Sequence, residues 1–157
     1  MGLTKSLQGE IRSAVARSFG VLISDSFDPE GREIVQHLVH ANEQLPVSRS
    51  TTSFGTIVDN QETVRVQVFE QAGSVESDRV GDNRRVLDGE LSGLPPIPAG
   101  SVIRLDFDVA LDGRLTVTAA EPTSGKSLTL EAFVEGVVDG AEAARLTGLV
   151  RALKVTD

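Results

Sequence analysis

A chain of 157 residues with a formal charge of −8, 39% hydrophobic and 24% charged, has the composition of one soluble globular domain with a sizeable core. Its acidic balance and scarce aromatics (six Phe, no Trp, no Tyr) exclude the basic footprint and stacking platform of a nucleic-acid binder, and leave neutral or basic partners. Without cysteine it can form neither disulfides nor thiolate metal sites, and no apolar run approaches the roughly 18 residues of a membrane span or a secretory leader, so a cytoplasmic location without membrane contact is expected.

Residues 1–13 are polar, with Leu3, Leu7 and Ile11 on one helical face, and read as linker or appended residues. The domain proper is expected over residues 14–136. Ala14–Ile23 predicts a first strand, Ser24–Glu33 a polar loop turning at Pro29 and Gly31, Ile34–His40 a second strand, and Ala41–Ser50 another loop. From Ser53 to Glu70, two apolar runs flank Asp59-Asn60-Gln61-Glu62. Val64, Val66 and Val68 alternate with Arg65 and Gln67, a period of two that predicts a half-buried strand, and the whole reads as a β-hairpin.

Gln71–Ser101 is dense in Gly, Pro, Asp and Ser and reads as loops around a short strand near Arg85–Leu91. Then Ile103, Leu105, Phe107 and Val109 alternate with Arg104, Asp106 and Asp108. After Asp112-Gly113, Leu115, Val117 and Ala119 alternate with Thr116 and Thr118. Asp-Gly between two alternating runs is a strong hairpin signature. A further turn at Pro122–Lys126 leads into a strand over Ser127–Glu135. The fold class is mainly β: an antiparallel sandwich of about eight strands, followed by a short C-terminal helix. In that helix, over Gly140–Lys154, Leu146, Leu149, Val150 and Leu153 form one stripe, while Gly148 costs about 1 kcal/mol against Ala.

Three clusters invite a chemical reading and each has a plainer one. Ser124-Gly125-Lys126-Ser127 mimics the end of a phosphate loop, but Ala120 stands where such a loop needs glycine, and the segment joins strand to strand. It reads as a turn. His37 and His40 would share a face only on a helix, and lack a third ligand, so no metal is expected. Asp106 and Asp108 share a strand face opposite the apolar residues, which makes that face solvent-exposed. No serine has a nucleophile's setting and no glycine-rich nucleotide loop is present, so no catalytic residue is expected and the chain reads as a non-enzyme.

Several of these elements together resemble the β-sandwich substrate-binding domain of the heat-shock protein 70 family, the DnaK-type chaperones. The resemblance rests on Asp59-Asn60-Gln61 before an alternating strand, the Leu94–Gly100 loop, the run Phe107–Ala119, the Ser124-Gly125-Lys126 turn, the first strand Arg17–Ile23 and the Asn42–Pro46 loop. These occur in order over roughly residues 17–136. The resemblance implies a cleft between the loops joining strands 1–2 and 3–4 that holds an extended peptide. It would be lined by Val21 and Ile23 from strand 1, Phe54 and Ile57 from strand 3, and Val64 and Val66 from strand 4. Val64 falls at the pocket for one leucine-like side chain, worth about 1.5–3 kcal/mol when buried. Main-chain bonds to the peptide are expected at Ile23, Gly55 and Ile57, each netting about 0.5–1.5 kcal/mol.

Ser24 stands where the family has an apolar residue arching over the peptide opposite Ile57. The Ser24–Ile34 stretch carries about seven extra residues, among them Phe27, a candidate loop contact that either replaces the arch or obstructs the site. Residues 137–157 would be the start of a truncated helical lid, whose stripe also offers a surface for self-association. The expected partners are unfolded or extended polypeptide segments. No cofactor is expected in this chain, ATP belonging to a separate nucleotide-binding domain. The competing reading is a sandwich interaction module with an altered cleft, binding a dedicated partner or another copy of itself.

Overall fold

The structure, a computed structural model, describes residues 13–25 and 29–134. Among them the chain forms eight strands: β1 (Phe19–Ser24), β2 (Glu33–Val39), β3 (Val47–Gly55), β4 (Thr63–Gln71), β5 (Asn83–Ser92), β6 (Val102–Val109), β7 (Arg114–Glu121) and β8 (Lys126–Phe133). These build two antiparallel four-stranded sheets, ordered β2-β1-β4-β5 and β3-β6-β7-β8. The expected sandwich is the fold observed. The helix expected over Gly140–Lys154 lies outside the described residues, as do Phe27 and the Leu3–Ile11 stripe.

Alternation decides the core. On β6 and β7, Ile103, Leu105, Phe107, Val109, Leu115, Val117 and Ala119 are all buried, while the residues between them face out. They meet Phe19, Val21, Val66, Val68, Leu87 and Leu91 of the opposite sheet. Each such side chain contributes about 1.5–3 kcal/mol on burial, and this inter-sheet layer holds the two sheets together. Asp106 and Asp108 lie on the outer face, Asp108 accepting from the Ser48 hydroxyl at 2.5 Å and Asp106 facing Arg104 at 3.3 Å.

The hairpin expected over Ser53–Glu70 does not form. β3 pairs with β6 and β4 with β1 and β5, so residues 56–62 carry the chain from one sheet to the other. Two apolar runs flank a turn and the second alternates, but a local pattern does not specify the partner strand. Three boundaries also move. β1 starts at Phe19, Ala14 making only an isolated bridge to Gln44. β3 starts at Val47, inside the expected loop, and β5 runs ten residues rather than forming a short strand.

Because consecutive strands run antiparallel, the connections segregate to two poles. The β1–β2, β3–β4, β5–β6 and β7–β8 loops share one pole; the β2–β3, β4–β5 and β6–β7 loops share the other. The β6–β7 turn is the Asp112-Gly113 turn of the sequence, with Gly113 at φ 88°, a left-handed conformation that favours glycine.

The Ser124-Gly125-Lys126 turn closes β7–β8 around a buried carboxylate. Glu121 Oε1 accepts the Ser124 amide at 2.8 Å, and Oε2 the Thr123 amide at 2.9 Å. Hydrogen bonds from Ser124 and Thr123 lower its pKa from 4.5 to about 2. A carboxylate depressed in the folded state stabilises fully above its unfolded value of 4.5 and loses that contribution as pH falls toward about 2. Glu121→Gln is therefore expected to unfold at lower denaturant than the native protein at pH 7. In denaturation curves collected from pH 4.5 down to 2, that gap should close.

Candidate functional site

The pole bearing the β1–β2 and β3–β4 loops gathers the apolar residues singled out in the sequence. Ile23 and Ser24 end β1, Phe54 and Gly55 end β3, Ile57 lies in the crossing loop, and Val64 is the second residue of β4. Their burial is graded. Val21 and Val66 are closed into the core, Ile23, Phe54 and Val64 are half-buried against it, and Ile57 stands 68% exposed beside Val58 at 55%. Ile57 and Val58 are thus large apolar side chains left in water at this pole. Ser24 is exposed at the end of β1.

The β1–β2 hairpin parts from the rest of its sheet at this pole. β1 pairs with β2 through Ser24↔Glu33, but its pairing with β4 stops at Val21↔Val68. β4 meanwhile stays paired with β5 up to Thr63↔Ser92. The register also says which main-chain groups face the divergence. The Asp25 N–H bonds Arg32 O at 2.8 Å, so alternation along the ladder makes Ile23↔Ile34 a hydrogen-bonded pair as well. The polar backbone of Ile23 is thus committed to β2, contrary to the expectation that it faces a ligand. Leu22 and Ser24 point toward β4 instead.

The crossing loop is held from behind by the β5–β6 loop. Thr56 is the joint: its N–H donates to Ser101 O at 2.9 Å, its carbonyl accepts from the Gly100 N–H at 2.8 Å, and its hydroxyl donates to Pro98 O at 3.0 Å. Further along, the Asn60 N–H reaches Ile97 O and the Asp59 carboxylate accepts the Ala99 N–H, both at 2.8 Å. Gly55 permits the approach, since a Cβ there would lie 2.9 Å from Ser101 O. With Thr56 committed to the β5–β6 side, alternation at the end of β3 turns the backbone of Gly55 away from it.

Gln61 braces the loop from within. Its Oε1 accepts the Ile57 N–H at 2.8 Å and its Nε2 donates to Thr63 O at 2.8 Å. The Ile57 N–H is therefore occupied from within the loop, contrary to the expectation of a peptide bond at that amide. Sequence reasoning treated Asp59-Asn60-Gln61 as a turn and a family signature; their bracing role depends on backbone groups from other segments. Thr56 gave no signal at all.

Charge at this pole is one-sided. The two loops and the first residue of β2 carry Asp25, Glu30, Glu33, Asp59 and Glu62 against Arg32 among the described residues, and Arg32 itself faces Asp25 at 3.9 Å. His37 and His40 lie toward the opposite pole on β2 and just beyond it, so they take no part here. Among the described residues no group of three or more His, Asp or Glu side chains is placed to hold a metal ion.

The fold is thus an antiparallel sandwich with a divergent hairpin, a braced crossing loop and exposed apolar residues at one pole. A family model described as Hsp70 protein matches residues 8–154. The chain belongs to the Hsp70 family. It is 38% identical over 95 residues to heat shock 70 kDa protein 2 of Paracoccidioides lutzii, a match covering 60% of this chain and 14% of that protein. Against the chaperone protein HscA homolog of Methylococcus capsulatus it is 34% identical over 114 residues, 72% of this chain and 18% of that one. Against the chaperone protein HscA of Pectobacterium carotovorum it is 34% identical over 99 residues, 62% and 15%. The matched region thus spans less than a fifth of each of these relatives.

Thr56→Val keeps the shape of a buried side chain and removes its hydroxyl hydrogen bonds. Stability should fall by roughly 1–3 kcal/mol in a urea titration. Amide exchange at Asn60 and Ala99 should accelerate, because the two loops then separate more readily.

Proposed function

We propose that this chain is the peptide-holding sandwich of an Hsp70-type chaperone, which binds extended apolar segments of unfolded proteins non-covalently and catalyses no reaction itself. The parting of β1 from β4 beyond Val21↔Val68 is the observation that carries this reading. It turns the main-chain groups of Leu22 and Ser24 toward a place where an extended peptide could add hydrogen bonds, independent of the peptide's side chains. Ile57, Phe54, Ile23 and Val64 would contact an apolar side chain of that peptide, with Val21 and Val66 as the floor beneath. ATP enters this reading only through a separate nucleotide-binding domain.

The division of labour follows from the chemistry. Main-chain bonds accept any extended segment, while the apolar contact at Val64 selects one bulky aliphatic residue, for about 1.5–3 kcal/mol. The acidic residues of the two loops would favour basic residues on either side of it, through an attraction that salt screens over about 8–10 Å. The exposed Ser24 cannot form an apolar bridge with Ile57, which favours quick release.

Fluorescence anisotropy of two labelled heptapeptides tests the proposal, one with a leucine-rich centre and basic ends, the other with the same ends around a Ser/Asp centre. Micromolar-range binding of the first alone is expected, weakened by salt and lost in Val64→Phe. If neither peptide binds, the cleft reading fails and the sandwich is better read as an interaction module for a dedicated partner.

A further inference from the structure

At the opposite pole, the β4–β5 loop, residues 72–82, does more than connect two strands. It reaches the free edge of β2, where the Val35 N–H donates to Asp78 O at 2.9 Å. Val35 and Phe69 are buried yet stand apart from the inter-sheet cluster. Their partners show why: Val35 pairs with Leu22, and both His37 and Phe69 pair with Gly20, so all three lie on the outer face of the sheet.

Glu76 is the centre of this attachment. Its Oε1 accepts the Ser18 hydroxyl at 2.5 Å and meets His40 Nδ1 at 2.7 Å, while its Oε2 lies 4.0 Å from Nδ1 of His37. The protonation of His37 can be read from its other neighbour. Asn83 Nδ2 donates to Ser77 O and Arg79 O at 2.9 and 2.7 Å, so Asn83 Oδ1 is the acceptor that faces His37 Nε2 at 3.0 Å. Nε2 therefore carries the hydrogen. In the neutral ring Nδ1 is then a lone pair directed toward a carboxylate, and a second proton converts that approach into an ion pair.

We propose that this cluster is a proton-operated strap. On acidification the imidazoles of His40 and His37 become cations against the single Glu76 carboxylate and draw the β4–β5 loop onto β2; as pH rises through the imidazole range, the loop loosens. Histidine is the side chain whose charge ordinarily changes between about pH 5 and 8. Burial alone would raise the Glu76 carboxyl, but hydrogen bonds from Ser18 and His40 outweigh it and hold the group below its usual value. It therefore stays anionic across the range in which histidine side chains ordinarily change charge.

Several of the other charges on the packed elements have partners of their own: Arg84 pairs with Glu70 and Arg85 with Asp88, while Glu33 lies exposed at the far end of β2. Arg17 donates to the carbonyls of Gln71 and Ala72, Glu43 accepts the His40 amide and pairs with Arg49, and Asp82 accepts the Ser77 hydroxyl. Asp78 and Arg79 lie exposed on the loop. The strap bears on β2, the outer strand of the hairpin whose inner strand ends at Ile23 and Ser24, so its state sets how firmly that hairpin is backed. This inference does not depend on the peptide reading.

Amide hydrogen exchange at Val35, without peptide and corrected for intrinsic rates, tests it at pH 5.5 and 7.5, with the Val117 amide of the other sheet reporting global opening. Relative to Val117, protection of Val35 should be about two- to fivefold greater at the lower pH, as for the gain of a solvent-exposed ion pair. The difference should vanish in Glu76→Gln and shrink in His40→Gln, whose exposed ring makes it the working variant if Glu76→Gln does not fold. Equal protection of native Val35 at both pH values, or an undiminished pH effect in the variant, overturns the proposal.

Discussion

Much of the candidate site depends on one joint, the attachment of Thr56 to the Pro98–Ser101 loop. Thr56 is buried, and its amide, carbonyl and hydroxyl are all committed to that loop. With Thr56 turned one way, alternation at the end of β3 sends the backbone of Gly55 the other way. Just beyond this joint Ile57 and Val58 meet water. Gln61 completes the arrangement by occupying the Ile57 amide.

The sandwich core and its polar attachments divide the work. Burial of alternating side chains from both sheets makes the fold stable, but it is non-directional and leaves the loops unplaced. Directional hydrogen bonds place them: the β3–β4 loop against β5–β6 at one pole, and the β4–β5 loop against β2 at the other. The β1–β2 hairpin lies between these two systems, backed by the strap on its outer strand and released from β4 along the last residues of its inner strand.

Some parts of the chain were legible because their structure is locally encoded. The β6–β7 hairpin followed from strict alternation around Asp112-Gly113, and its pairing of Val109 with Leu115 is what that pattern requires. The solvent-facing setting of Asp106 and Asp108 followed from the same parity. The segment Ser53–Glu70 was harder: its strands and turn were visible, yet the hairpin was not there, because strand partners are chosen by inter-sheet packing rather than by the connecting residues. Ile23 shows the same limit at finer scale. Its side chain was correctly treated as apolar, but the direction of its amide depends on the hairpin register, set by the bond between Asp25 and Arg32.

By itself the sequence determined that the chain is a β-rich sandwich, that Val64, Val66 and Val68 share one face, and which pattern of residues links it to the Hsp70 family. Those properties depend on periodicity and on turn chemistry, which act between near neighbours. Only the tertiary structure decided that β3 and β4 belong to different sheets, that Ser24 rather than Ile23 turns its backbone toward β4, and that His37, His40, Glu76 and Ser18 converge. Each of these is a contact between segments distant along the chain. Its geometry exists only once both sheets are packed and the main-chain hydrogen bonds have selected a register.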